Sequence, residues 1–238
     1  MNQFEVYIYF ASMGRSGSTL IANYFTKPDA KQFMFVEPNV SENNRFNVNL
    51  INQLTDFSLQ NDPSSLPETL KSLKEKNYKI GIKEVKSDIH SQVNKLIFPE
   101  KIVVTCRNIK DIYLSLVEKH RQQNVPLNED WSYEYCLRES KYILGFCEKN
   151  SCSKIIRYED FIDSYDYRSE LCQLLELEGE GVVDRNFDIY NRTFEQELFK
   201  GEIRKRDKPY RHIVQKDIQQ AEKLSEECQA YQAYFDYV

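Results

Sequence analysis

Short apolar runs recur along the chain, each followed by a stretch with helical spacing. Val6 to Phe10, Lys31 to Phe35, Tyr78 to Lys83, Lys101 to Cys106 and Lys154 to Tyr158 are rich in β-branched and aromatic residues and read as strands. Between them, three- and four-residue apolar spacing predicts helices. Leu20 to Phe25 follows the first strand, and Ser65 to Lys76 carries Leu66, Leu70 and Leu73 on one side. Ser91 to Phe98 reads as a short helix ended by Pro99. A further helix aligns Ile109, Ile112, Tyr113, Leu116 and Val117; others are expected over Trp131 to Lys149, Ser169 to Leu177 and Lys216 to Phe235. The last places Ile218, Ala221, Leu224, Cys228 and Tyr231 on a core face. Residues 39–67 are polar and aperiodic, a loop that could contact substrate or act as a lid, and 191–212 follow no clear period. Strands alternating with helices predict a three-layer α/β fold with a mainly parallel central sheet covered on both faces. Residues 1–238 are expected to form a single domain.

Ligands in such sheets bind at the carboxyl ends of the strands. The first strand runs into Gly14-Arg15-Ser16-Gly17-Ser18-Thr19-Leu20. A strand, a glycine turn and a helix N-terminus offer free backbone N–H groups and the positive end of the helix dipole, so the stretch reads as a phosphate-binding loop. It is not a Walker A sequence: only two residues separate Gly14 from Gly17, and no lysine follows Gly17. The plain alternative is a glycine turn capped by Ser18 or Thr19. Arg107, at the end of the fourth strand, and Ser115, eight residues on in the following helix, form a second candidate phosphate site. Arginine suits it because its planar fork donates two hydrogen bonds to one oxyanion. Glu37 ends the second strand and Tyr158 the fifth, so Arg15, Glu37, Arg107 and Tyr158 are expected to meet at one edge of the sheet.

Composition narrows the classes. Hydrophobic residues make up 41% and charged residues 29%, as in a soluble globular protein. A formal net charge of −5 argues against broad nucleic-acid binding. No apolar run is long enough to span a membrane, and no leader pattern opens the chain, so a cytoplasmic location is expected. The six cysteines lack Cys-x-x-Cys spacing, and no metal site is expected. Lys200, Gly201, Arg204, Lys205, Arg206, Lys208 and Arg211 form a basic run that is either solvated surface or a cover for a phosphate.

Together these residues resemble the PAPS-dependent sulfotransferase family, with its P-loop-like fold. Residues 14–20 look like its 5′-phosphosulfate loop, and Cys106 to Ser115 like its 3′-phosphate motif. Arg157-Tyr158-Glu159-Asp160-Phe161 is similar to a third block, whose tyrosine contacts adenine, and Lys200-Gly201 to a late Lys-Gly pair at the 3′-phosphate. The resemblance implies PAPS as co-substrate, PAP as product, no metal, and a hydroxyl-bearing acceptor, a carbohydrate above others. It assigns Arg15, Ser16, Gly17, Ser18, Thr19, Arg107, Ser115, Tyr158, Lys200 and Gly201 to the nucleotide, with Arg15 at the position of the catalytic cation. Cytosolic small-molecule members carry a histidine base in a Lys-Thr-His segment, where this chain reads Lys83-Glu84-Val85. Glu37-Pro38 is similar to the glutamate segment of the carbohydrate and protein-tyrosine branches, which puts Glu37 first as base, Glu84 second and His90 third. A small-molecule kinase and a catalytically silent nucleotide-binding protein remain alternatives, and the oligomeric state is open.

Overall fold

The computed structural model describes residues 3–38, 66–122, 129–180, 182–183, 188–189, 192–193, 201–203 and 210–238. At its centre is a five-stranded, all-parallel sheet in the order β2-β3-β1-β4-β5. The strands are β1 (Phe4–Ser12), β2 (Gln32–Val36), β3 (Lys79–Glu84), β4 (Ile97–Cys106) and β5 (Lys154–Arg157). The connecting helices are α1 (Ser18–Phe25), α2 (Leu66–Glu75), α3 (Ser87–Leu96), α4 (Ile109–Gln122) and α5 (Glu129–Lys149). After β5 come α6 (Tyr158–Asp163), α7 (Tyr165–Leu175), α8 (Gln215–Glu227) and α9 (Gln229–Tyr234). Among the described residues four two-residue strands lie between α7 and α8.

Alternation along β1 divides the core. Tyr9 and Ala11 pack with side chains of α2 to α5, α8 and α9. Ile8 and Phe10 pack with α1, α6 and α7 on the other face. Both faces are therefore covered, as the sequence predicts, giving the three-layer α/β arrangement. The strand order makes the chain leave β1 on one side, return through β2 and β3, and cross to β4 on the other. The crevice at that switch point lies at the carboxyl end of β1.

Several predicted boundaries move, each for a physical reason. Helix α3 starts at Ser87 rather than Ser91, because the Glu139 carboxylate caps it from another helix. Glu139 accepts from Ser87 N–H at 2.8 Å and from its hydroxyl at 3.1 Å. Pro99 does not end a helix but lies within β4, opposite Val6. Strand β5 joins β4 only from Val103 onward, so around Pro99 the strand is an edge, where a missing N–H is tolerated. Tyr158 opens α6 instead of closing β5. Helix α7 begins at Tyr165 because the Ser164 hydroxyl accepts from Tyr167 N–H at 3.1 Å, and it ends at left-handed Glu176. The predicted last helix is two helices broken at Cys228, and Ile218, assigned to its core face, is 41% exposed. None of the six cysteines is in a disulfide. The polar stretch 39–65 lies outside the described residues.

Candidate active site

The turn after β1 is built around two left-handed residues. Arg15 has φ 70° and Gly17, which caps α1, has φ 79°. Glycine holds that conformation without strain, whereas arginine does so at a cost of roughly 1–3 kcal/mol. Gly17 is also required for space: a Cβ there would lie 2.0 Å from Tyr158 Cδ2. Gly17 itself holds the cap position and has no side chain to bond there, so Ser18 and Thr19 fall inside α1 rather than at its cap. The helix N-terminus thus keeps backbone N–H groups for an incoming anion. The hydroxyls around it are differently placed. Ser16 donates to Met13 O at 2.7 Å, inside the turn itself, and Ser18 is buried. Thr19 Oγ1 accepts from Lys83 Nζ at 3.2 Å.

The second candidate anion site abuts the first. Arg107, just past β4, donates from Nη1 to Arg15 O at 3.2 Å, and its guanidinium lies 4.7 Å from the centre of the Tyr158 ring. Its Nε is buried with no hydrogen-bond partner among the described residues, a donor suited to an anion from outside. Ser115, on α4, accepts from Arg15 Nε at 3.0 Å. Burial, and after it the Arg107 charge, lowers the Arg15 pKa from its ordinary value. Tyr210 comes back towards this place, its phenol sensing the charges of Arg107 and Arg15. The same segment is pinned to α4: Glu118 accepts from Arg211 N–H at 3.1 Å and His212 N–H at 2.9 Å. Gly201 stands in a two-residue strand paired with Val182–Val183. Lys200 lies outside the described residues.

At the ends of β2 and β3 the structure brings together Glu37, Lys83 and Glu84. Lys83 is 1% exposed and forms an ion pair with Glu37. Glu37 has left-handed φ 50°, and its N–H donates to Lys83 O at 2.7 Å. Burial alone would raise the Glu37 pKa, but the Lys83 ammonium, reinforced by Lys119 and Lys86, brings it below the ordinary carboxylate value. Glu84 shares the burial but not the ion pair. It is 2% exposed, its Oε1 has no partner among the described residues, and burial together with the Glu37 charge raises its pKa well above normal. Of the two carboxyls, Glu37 is thus the more acidic and Glu84 the one that holds its proton to higher pH. His90 is fully buried. Its Nε2 pairs with Ser12 O at 3.2 Å and its Nδ1 with the Tyr9 hydroxyl. A carbonyl only accepts, so Nε2 carries the proton and Nδ1 accepts. Burial lowers the His90 pKa to about 4, leaving a neutral core group.

Lys83 was the functional candidate hardest to see in the sequence. A lysine in a strand ordinarily marks a solvated face, and only the β2-β3-β1 order turns this one towards α1. Lys119 faces the same place from α4, one turn beyond Ser115; burial and the charge of Arg15 lower its pKa. Its spacing from Asp111 and Ser115 was the available signal. Among the described residues no group of three or more His, Cys, Asp or Glu is placed to hold a metal, and no helix is long and apolar enough to cross a membrane.

No family model matches this sequence, and no curated protein matches it. Solved structures do share its fold. The sulfotransferase domain from the curacin biosynthetic pathway superposes with a TM-score of 0.62 at 13% identity, covering 96% of this chain and 99% of that one. The sulfotransferase domain of the Synechococcus PCC 7002 olefin synthase gives 0.53 at 14% identity over 94% and 95%. Mouse sulfotransferase SULT7A1, solved with PAP, gives 0.56 at 13% identity over 97% and 90%.

Proposed function

We propose that this chain, built on the sulfotransferase fold, transfers a sulfuryl group from PAPS to a hydroxyl of an acceptor and releases PAP. The observation that carries the reading is the convergence of Arg15, Arg107 and Ser115 with the Lys83-paired carboxylate of Glu37 at one sheet edge. The N-terminus of α1 with Arg15 would hold the 5′-phosphosulfate. Arg107 Nε and Ser115 would hold the 3′-phosphate, with Lys200-Gly201 as the late partner that the resemblance implies. Tyr158 would meet the adenine beside Arg107. A mononucleotide with one phosphate cluster leaves the second site unexplained; PAPS uses both.

In the reaction the acceptor oxygen forms a bond to sulfur as the bond from sulfur to the bridging phosphate oxygen breaks. Charge builds on the bridging and outer oxygens, where Lys83, Arg15 and the α1 N–H groups supply fixed positive potential. Glu37 takes the acceptor's proton. Its ion pair with Lys83 favours the ionised, proton-accepting form, whereas burial and the Glu37 charge disfavour that form in Glu84. The acceptor class that the Glu37-Pro38 resemblance favours is a carbohydrate. Radiolabelled PAPS and γ-labelled ATP, offered in parallel with a panel of sugars, phenols, peptides and lipids, test this function. Label transfer from PAPS alone is expected. Transfer from ATP alone would replace the reading with a kinase, and transfer from neither donor would leave a nucleotide-binding protein.

A further inference from the structure

Tyr135, on α5, has no place in the chemistry just described, yet it joins its two halves. It is 4% exposed. Its hydroxyl accepts from Gly14 N–H at 2.8 Å and donates to Val85 O at 3.1 Å. Gly14 belongs to the loop after β1, and Val85 directly follows Lys83 and Glu84 at the end of β3. One phenol oxygen therefore bridges the carboxyl ends of two neighbouring strands, across the crevice where the ligand site lies. The ring is fixed from behind, stacked on Trp131 with centroids 5.3 Å apart and an interplanar angle of 23°. The Arg138 guanidinium lies 5.7 Å from its centre.

We infer that Tyr135 is a positioning residue that holds the phosphosulfate loop in register with the Lys83 end of β3. The inference rests on the nucleotide reading above. Arg15 adopts its left-handed conformation between two anchors, Gly14 tied to Tyr135 and Gly17 packed under Tyr158. Strained backbone of this kind persists only where its surroundings over-determine it. Without the phenol oxygen, Gly14 N–H and Val85 C=O both lose a partner, and the loop gains freedom at the residue next to Arg15. The fit is close: a Cβ on Gly14 would lie 2.7 Å from the Tyr135 oxygen but 3.5 Å from Cζ. That difference provides an independent test, because removing only the oxygen opens room for alanine at position 14.

Calorimetry with PAP and with adenosine 3′-phosphate, which lacks the 5′-phosphate, reads the inference directly. Tyr135→Phe should weaken PAP by about tenfold, the value of one hydrogen bond at the loop, and leave adenosine 3′-phosphate within about twofold. Gly14→Ala should weaken PAP in the parent, and the loss should be smaller in the Tyr135→Phe background. A merely structural role predicts equal losses for both nucleotides and additive effects of the two substitutions; either result overturns the inference. Unchanged PAP affinity in Tyr135→Phe overturns it too. A parent protein that binds neither nucleotide sinks the nucleotide reading itself, and this inference with it.

Discussion

The Nε of Arg15 donates to the Ser115 hydroxyl at 3.0 Å, joining two candidate anion sites 100 residues apart in sequence. Arg107 completes the link by donating to the Arg15 carbonyl. Two guanidiniums thus share one small volume, and among the described residues neither forms an ion pair with a carboxylate. The two sites should nonetheless be separable by ligand.

Arg107→Ala removes a charged hydrogen-bond donor whose loss is worth roughly 1.5–3 kcal/mol. PAP affinity should fall by about ten- to a hundredfold. Adenosine 5′-phosphosulfate, which lacks the 3′-phosphate, should be almost unaffected. Calorimetry on both ligands decides the matter, and equal losses would remove Arg107 from the 3′-phosphate site.

Glu37→Gln keeps the shape of the carboxylate and removes its basic oxygen. With an acceptor identified by the label-transfer panel, kcat should fall by roughly 10²–10⁴ while PAP affinity stays nearly unchanged. Glu84→Gln should spare turnover. It should also stabilise the fold increasingly as pH rises above 4.5, the ordinary glutamate value, because the carboxyl holds its proton to higher pH in the folded chain than in the unfolded one. An advantage of about 1 kcal/mol would appear as roughly 2–4 °C in Tm at pH 8. Turnover lost in Glu84→Gln but kept in Glu37→Gln would reverse the assignment.

His90 gives the fold an acid sensitivity of known sign. Its folded pKa of about 4 lies below the ordinary 6.5, so its contribution is present above pH 6.5 and is lost as pH falls towards 4. The full effect is about 3 kcal/mol. Thermal melts across that range should show a decline that His90→Gln reduces. A parent melting temperature flat between pH 6.5 and 4 would show that His90 is not neutral in the core.

The strands, and the meeting of Arg15, Arg107 and Ser115, were legible because their signals are local. The run into Gly14-Arg15-Ser16-Gly17 and the spacing of Arg107 and Ser115 need only chain neighbours to be read. Lys83 was not legible as a site residue, since its role depends on which strands flank β3. Tyr135 lies on a helix that forms 121 residues after Gly14, with nothing in its own sequence context to connect them. The resemblance ranks Glu37 ahead of Glu84, but the opposite shifts of the two carboxyls come from burial and the Lys83 contact, which the sequence does not display. The start of α3 was hidden because its cap is Glu139, a residue of another helix. Pro99 was misplaced because a proline within a strand is tolerated only at an edge, and sequence does not say where a sheet ends.

The most direct test of the account is the preference of the parent protein between PAP and ADP, measured by calorimetry under the same conditions. Both carry adenosine and a 5′-phosphate, but only PAP can occupy the Arg107–Ser115 site. A charged hydrogen-bond pair at that site predicts PAP to bind tighter by about ten- to a hundredfold. ADP binding as tightly as PAP, or tighter, would contradict the two-site account and with it the proposed sulfuryl transfer.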